Sequence, residues 1–475
     1  MQTDNEYFDS DEFKDLLAAY EDSVSSGAPV FLDTDDLVDI ADYYTLTGQK
    51  NKADQAVETA LELEPGATLP LVYKAREALA HEDVEAARQL ADAIVDKDDT
   101  EYKYLLAEIM IVKDDIDEAD DYLKEQEPAH TGDEHEDYIY DIANMYIEYG
   151  VYDKANQWLG KTTEPDSPDM LELKGKALMG MGSFEECIKV YDKLIDYDPR
   201  SDRYWLEMAK AQYMIQEYND AITSCEYALA LKPKSLAGLQ VKANSLFQLG
   251  NNEAALEFYT RYTQMAPKDG TGELQIGTTL LHMARYAEAL EHLNKAASQS
   301  IDMCSGIGSQ VYETMALAYS YMGKTEQALE CVAKISVDEG NSKESAERLV
   351  IHGHVLLEGG HNEEAEAMFR NAIIKSKNSP DIILRVIVSL LDNKNTEMAY
   401  NLFKVYFASL EDRTEGYPYM ALCCWRLNKS EEFIYYLRQS IKYTPKEASA
   451  VMSTIIPKGL SITEFYNDIN KFLKK

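Results

Sequence analysis

Apolar residues recur along this chain at helical rather than strand spacing. In one segment Trp205, Met208, Ala209 and Gln212 fall at i, i+3, i+4 and i+7. After a short polar break, Tyr218, Ala221, Ile222, Cys225, Ala228 and Leu229 continue on a second face. This period, with no apolar–polar alternation, predicts two short amphipathic helices joined by a turn. The pattern repeats. Pro199, Pro233 and Pro267 follow apolar stretches at intervals of 34 residues, and Cys187, Ala221 and Ala255 precede them at the same interval. Extended both ways, the series is Ala53, Ala87, Ala119, Ala155, Cys187, Ala221, Ala255, Ala289, Ala328, Ala365, Ala399 and Phe433. The steps are 34, 32, 36, 32, 34, 34, 34, 39, 37, 34 and 34 residues. Twelve copies at so regular a spacing predict a helical repeat array.

Counting the small residue as the twentieth of its copy, Gly48, Gly150, Gly182, Gly250, Gly323 and Gly360 are all fifteenth. Glycine there permits the left-handed turn that ends a helix. The small twentieth residue has a packing reason, because helices that cross closely accept a methyl group and reject a large side chain. Both ends of the array carry cap signals. Phe13, Leu16, Leu17 and Tyr20 form one helical face before the first copy, followed by the loop SSGAP. After the last copy, Ala448, Val451, Met452 and Ile455 form a short amphipathic turn stopped by Pro457 and Gly459. Ser461 and Glu464 then make an S-x-x-E capping box. It opens a helix with Ile462, Phe465, Tyr466, Ile469, Phe472 and Leu473 on one face, and Lys471, Lys474 and Lys475 suit its C-terminal dipole end.

A 34-residue helix–turn–helix unit of this kind resembles the tetratricopeptide repeat (TPR) family over about residues 34 to 447. One copy shows Leu239 fourth, Ala243 eighth, Ala255 twentieth, Tyr259 twenty-fourth and Pro267 thirty-second, close to the family pattern. Departures are Phe433 at a small position, few signature residues over about 68–135, and longer steps between Ala289 and Ala365 that imply an extended turn around Ile301–Ser309. The resemblance implies an all-α, right-handed superhelical solenoid of about twelve units with a concave groove lined by first helices. It further implies a cap in residues 1–33, the array in 34–447, and a degenerate capping unit in 448–475.

Composition then sharpens the functional reading. Against 46 Lys and Arg stand 85 Asp and Glu, a formal charge of −39. Phosphate neutralisation needs clustered cations, so nucleic acid is excluded as a partner, as is an anionic membrane surface. The excess is lopsided: residues 1–150 hold 41 acids and 10 bases, and the last 75 residues hold 8 and 11. By family analogy, groove positions of the first four copies include Asp35, Asp39, Asp42, Glu101, Glu108, Asp137, Asp141 and Glu148, with Tyr73, Tyr104 and Tyr140 beside them. An acidic groove with tyrosines suits a basic, extended segment by steering and aromatic anchoring. A solvated acidic coat that keeps a long array soluble is the plainer alternative. The lysine at position five by which some family members hold a terminal carboxylate is missing from all twelve copies, which disfavours a carboxylate-tail partner.

No catalytic constellation emerges. The stretch AHTGDEHED holds His130, Asp133 and His135 in a polar loop, more simply an inter-repeat connection than a metal site. His352 and His354 are two residues apart on a helix and point to different faces. Cys187, Cys225, Cys304, Cys331, Cys423 and Cys424 make no disulfide framework and no C-x-x-C. With no secretory leader pattern and no apolar run of membrane length, the expectation is a cytoplasmic, non-enzymatic protein-interaction scaffold without cofactor or metal. Alternatives are a structural subunit that assembles, homo-oligomerically or otherwise, through convex or end surfaces, and a cochaperone-like regulator.

Overall fold

The computed structural model describes residues 7–27, 29–299, 306–335, 342–410, 414, 416–457 and 459–469. Among these there are 27 α-helices and no strand. The chain divides into two compact units, residues 1–217 and 218–475. The first holds α1 (Asp11–Ser26), α2 (Thr34–Leu46), α3 (Lys50–Leu63), α4 (Thr68–Ala80), α5 (Val84–Ala93), α6 (Thr100–Val112), α7 (Ile116–Gln126), α8 (Asp133–Glu148), α9 (Tyr152–Leu159), α10 (Pro168–Gly180), α11 (Phe184–Tyr197) and α12 (Asp202–Met214). The second holds α13 (Tyr218–Leu231), α14 (Leu236–Gln248), α15 (Asn252–Met265), α16 (Gly270–His282), α17 (Tyr286–Gln299), α18 (Gly306–Tyr321), α19 (Thr325–Lys334), α20 (Ser342–Glu358), α21 (Asn362–Lys375), α22 (Pro380–Asp392), α23 (Thr396–Leu410), α24 (Gly416–Arg426), α25 (Ser430–Tyr443), α26 (Pro445–Val451) and α27 (Ile462–Asn467).

Within each unit the helices stack as a solenoid of pairs. α2 packs on α3, α4 on α5, α6 on α7, α8 on α9 and α10 on α11; in the second unit the pairs run from α14–α15 to α24–α25. First helices also lie side by side: α2 against α4, α4 against α6, α8 against α10, and each of α16, α18, α20 and α22 against the next first helix. They therefore share a face, the one on which the sequence places its candidate site.

The repeat positions have the predicted physical roles. All twelve residues from Ala53 to Phe433 at position twenty are fully buried. At position eight the fit is tight enough to select glycine. A Cβ on Gly175 would sit 2.8 Å from the Tyr191 ring, and one on Gly353 would sit 2.6 Å from Phe369. Position fifteen is left-handed in every copy. The six glycines have φ between 70° and 81°, and Glu82, Asp114, Gln216, Ala284, Lys394 and Asn428 take the same conformation with φ of 57–69°. In each case the next N–H returns to the carbonyl five residues earlier, as in Asp83 to Ala78 and Arg285 to Leu280, both at 2.9 Å. That bond closes the first helix. A side chain in this conformation costs about 1–2 kcal/mol, less the unfolded-state entropy that glycine adds. Ala284→Gly should therefore raise the urea midpoint by an amount equivalent to about 0.5–1 kcal/mol, and a lowered midpoint would count against this assignment.

Both caps form. Phe13 and Tyr20 of α1 are buried with Leu37, Ile40 and Tyr44, and Gly27 ends the helix at φ 66°. At the other end Ala448, Met452, Ile462, Phe465 and Ile469 join the core of the last pairs, and the Ser461–Glu464 capping box is complete. α27 runs from Ile462 to Asn467. Phe472, Leu473, Lys471, Lys474 and Lys475, together with Cys304 and residues 301–305 of the expected long turn, lie outside the described residues. The other five cysteines are buried; burial pushes the thiols of Cys187, Cys225, Cys423 and Cys424 up to about 12, so they are packing residues. Among the described residues no helix is long and apolar enough to cross a membrane.

Part of the acidic excess is structural. Asp33, Asp83, Asp99 and Asp269 cap helix N-termini by accepting a first-turn N–H. Asp35, Asp36, Glu85, Glu101, Asp117 and Glu118 stand in first turns, where carboxylates complement the helix dipole.

Candidate functional site on the first-helix face

Helix capping does not account for the remaining acids of the first unit's shared face. Asp39 and Asp42 lie in the body of α2, Asp137 and Asp141 in that of α8, and Glu108 in that of α6. Glu148 is the last residue of α8, where the dipole disfavours a carboxylate. At positions two, five, six, nine and thirteen of the first four copies, the only basic residue is Arg76.

Arg76, which repeat-position reasoning passes over, organises the centre of this face. From α4 its Nε donates to both Glu108 oxygens at 3.1 Å, and its terminal nitrogen donates to Glu108 at 2.8 Å and to Glu101 at 3.0 Å. Tyr149 OH approaches the same Glu108 carboxylate at 3.4 Å. Burial raises the Glu108 pKa even against the pull of Arg76. Glu108 and Tyr104, expected as open groove residues, are each only 5% exposed. Long side chains from adjoining repeats cover them, so they form a floor rather than a contact surface. Tyr104 OH donates to Asp141 Oδ2 at 3.1 Å, and the Tyr104 ring stacks on Tyr138.

The other predicted residues lie on α2, α4 and α8. Tyr7 OH donates to Asp39 at 2.8 Å, so a residue ahead of the first copy reaches its face. Tyr73 OH and Thr45 Oγ1 are 2.7 Å apart. Asn144 donates to Glu148 at 3.0 Å. Asp42 and Tyr140 likewise interact within the fold. Asp35 and Asp137 are exposed. Desolvation, with Asp35 and Asp33 adding to it, pushes the Asp39 carboxyl up; desolvation, with Glu101 and Asp137 adding to it, does the same to Asp141. Crowded negative charge with one cation already engaged is a field that favours an added cation.

The polar loop before α8 is tied to its own neighbours. His135 Nε2 lies 3.3 Å from Glu127, which also takes Lys161 at 2.6 Å, and His130 stacks on Tyr138 at 4.2 Å. The Asp133 side chain lies outside what the structure describes. Among the described residues no three His, Cys, Asp or Glu side chains converge as metal ligands.

The first helices of the second unit carry a feature of their own. Leu317, Tyr321, Val350, Ile351, His354, Leu384, Arg385 and Val388 line a hollow of about 350 Å³ together with Ser389, Asp392, Tyr419 and Glu447. One sequence signal points there: position nine is polar through Thr278, then becomes Leu317, His354, Val388 and Leu422. His352, two residues from His354, borders a different hollow beside Leu329 and Arg348, as expected from helical geometry.

Comparison with known proteins places the fold in its family. Tetratricopeptide repeat models match residues 173–235 and 237–269. The inactive TPR repeat-containing thioredoxin TTL3 of Arabidopsis thaliana is 24% identical over 260 residues, 53% of this chain and 36% of that protein. The chain thus matches about a third of that relative's length. A tetratricopeptide repeat protein structure from Parabacteroides merdae is 18% identical, with 54% of this chain and 98% of that one covered and a TM-score of 0.43. The APC/C hetero-tetramer Cut9-Hcn1 gives 14% identity, coverage of 95% and 94%, and a TM-score of 0.36. With its regular helix pairs, small crossing residues and matched repeat models, the chain is a tetratricopeptide repeat protein, of a family that generally serves protein–protein interaction and is usually without enzymatic activity.

Proposed function

We propose that this chain is a non-enzymatic scaffold that captures a basic, extended segment of a partner protein on the first-helix face of its first four repeats. The array of residues 34–447, between caps in 1–33 and 448–475, presents that face. One observation carries the reading: Asp39, Asp42, Asp137, Asp141 and Glu148 stand where helix capping gives them no role, and the single cation among the groove positions, Arg76, is already engaged by Glu108 and Glu101. Asp39, Asp137 and Asp141 supply attraction. Tyr73 and Tyr140, both half-buried, supply flat anchors beside them. Tyr104 and Glu108 hold the floor rather than touch the partner.

Affinity capture from native lysate at about 50 mM and about 500 mM salt tests this, because screening shortens from beyond 10 Å to a few ångströms over that range. Basic partners should be retained at low salt and lost at high salt. The combined Asp39→Asn, Asp137→Asn and Asp141→Asn variant should lose them at low salt as well. Capture that is indifferent to both salt and the variant would overturn the reading.

A further inference from the structure

We infer that the hollow on α18, α20, α22 and α24 is a second recognition site, which takes a phenylalanine- or leucine-sized side chain flanked by lysine or arginine from a partner protein segment. It stands on the second unit alone and does not depend on the acidic face of the first.

The floor is apolar, built by Leu317, Val350, Ile351, Leu384 and Val388 from three successive first helices. A volume of about 350 Å³ lies at the small end of ligand sites, suited to one large side chain rather than a folded surface. Tyr321 and Tyr419 stand at the rim, where their rings can flank an inserted side chain.

A buried polar atom marks the same place. His354 is only 5% exposed, packs edge-on to Tyr321 at 5.7 Å, and uses Nδ1 against Ser389 Oγ at 2.9 Å. Its Nε2 has no hydrogen-bond partner among the described residues. Burial holds the ring's pKa down at about 4, so the imidazole is neutral and Nε2 needs a polar neighbour rather than an anion. Buried polar atoms in proteins almost always have such a neighbour, and a peptide group entering with the apolar side chain would supply one.

The charges around the hollow choose the flanking residues. Glu313, Glu347, Glu358, Asp392 and Glu447 surround it or adjoin its lining. Of the nearby cations, Arg385 is paired with Glu347 at 2.9 Å, Arg426 donates to the Leu391 carbonyl at 3.1 Å, and Lys394 lies toward Glu358. In the lining itself Asp392 and Glu447 stand against one base, Arg385. Desolvation, stronger than every charge effect on them, pushes the carboxyls of Glu313, Glu358 and Asp392 up, so each would gain from a cation brought by the partner. An acidic flank on the incoming segment would meet repulsion instead.

Three fluorescein-labelled nonapeptides, identical except for a central Lys-Phe-Lys, Glu-Phe-Glu or Lys-Ala-Lys, test this by anisotropy on the full chain. Lys-Phe-Lys should bind about tenfold or more tighter than either other peptide. Asp392→Asn should remove most of its advantage over Glu-Phe-Glu. Val388→Trp, which fills the hollow, should remove its advantage over Lys-Ala-Lys. His354→Phe, which keeps an aromatic ring and loses both ring nitrogens, should weaken Lys-Phe-Lys by about fivefold. The first-unit variant carrying Asp39→Asn, Asp137→Asn and Asp141→Asn should keep the preference for Phe over Ala, which separates failure of this site from failure of the acidic face. Equal binding of the three peptides would overturn the proposal. So would a preference that survives both Asp392→Asn and Val388→Trp.

Discussion

Asp120→Ala is expected to lower the unfolding free energy by about 3 kcal/mol, because it removes the shared acceptor of a buried inter-repeat network. Asp120 lies on α7, is 2% exposed, and joins the third repeat to the fourth. It accepts the Trp158 indole N–H at 2.9 Å, Lys154 Nζ at 2.9 Å and Lys124 Nζ at 2.7 Å. Alanine would leave the buried indole N–H and the nearly buried Lys154 without their acceptor. Losing one partner of a buried charge pair typically costs about 3–5 kcal/mol; the lower end applies because Lys154 keeps Asp117 at 2.8 Å. Asp120→Asn keeps an acceptor for Trp158 and should cost about half as much. The pH dependence has a definite sign. Burial acts to raise the Asp120 pKa, but the hydrogen bonds from Lys124, Lys154 and Trp158 outweigh it and hold the carboxyl below its ordinary 3.8. A depressed pKa contributes stability that is complete above the unfolded value and fades as pH falls through the folded one. Urea midpoints of wild type and Asp120→Asn should therefore differ most above about pH 4 and converge in stronger acid. A constant difference across that range would contradict the assignment.

The second large effect falls on the floor of the acidic face. Arg76→Met should destabilise the first unit by about 2–3 kcal/mol, less than a fully buried pair because the Arg76 side chain is 45% exposed and partly screened. Glu108 would remain buried without its counter-charge. Its folded pKa already lies above the ordinary 4.5, from burial first, and loss of Arg76 raises it further. A carboxyl raised in the folded state costs stability at neutral pH and returns it as pH falls through the folded pKa toward the unfolded one. Arg76→Met should thus melt lower than wild type at pH 7 and recover part of the gap near pH 5. Glu108→Gln should suppress the defect. An Arg76→Met defect that is equal at both pH values and indifferent to Glu108→Gln would show that Arg76 acts by packing alone.

How much of the molecule is legible in its sequence follows from the distances over which each interaction acts. The repeat, its paired helices and its buried twentieth residue are local, periodic facts and stand out in sequence. Position fifteen is visible only where it is glycine. Glu82, Asp114, Gln216, Ala284, Lys394 and Asn428 share its conformation because the helix ends on both sides leave the backbone no other path. The acidic face is legible as composition, yet Arg76 is not, because its partner Glu108 lies 32 residues away in the neighbouring repeat and only packing brings them together. Tyr104 and Glu108 read as surface because position in the repeat gives direction but not depth. The division between Glu217 and Tyr218 falls where no proline-, glycine- or serine-rich linker marks it. The His354 hollow draws on four first helices spread over about a hundred residues and is marked in sequence only by the loss of the polar run at position nine.

The most direct test of the central claim is a titration of the full chain with one acetylated, lysine- and arginine-rich peptide at several salt concentrations. It should be performed on wild type and on the Asp39→Asn, Asp137→Asn and Asp141→Asn variant. Exposed charge pairs contribute roughly 0.2–1 kcal/mol each, so the variant should bind about three- to a hundredfold more weakly at low salt. Its affinity should also depend less steeply on salt than that of wild type. Equal affinity and equal salt dependence in the two proteins would contradict capture of a basic segment on the first-helix face.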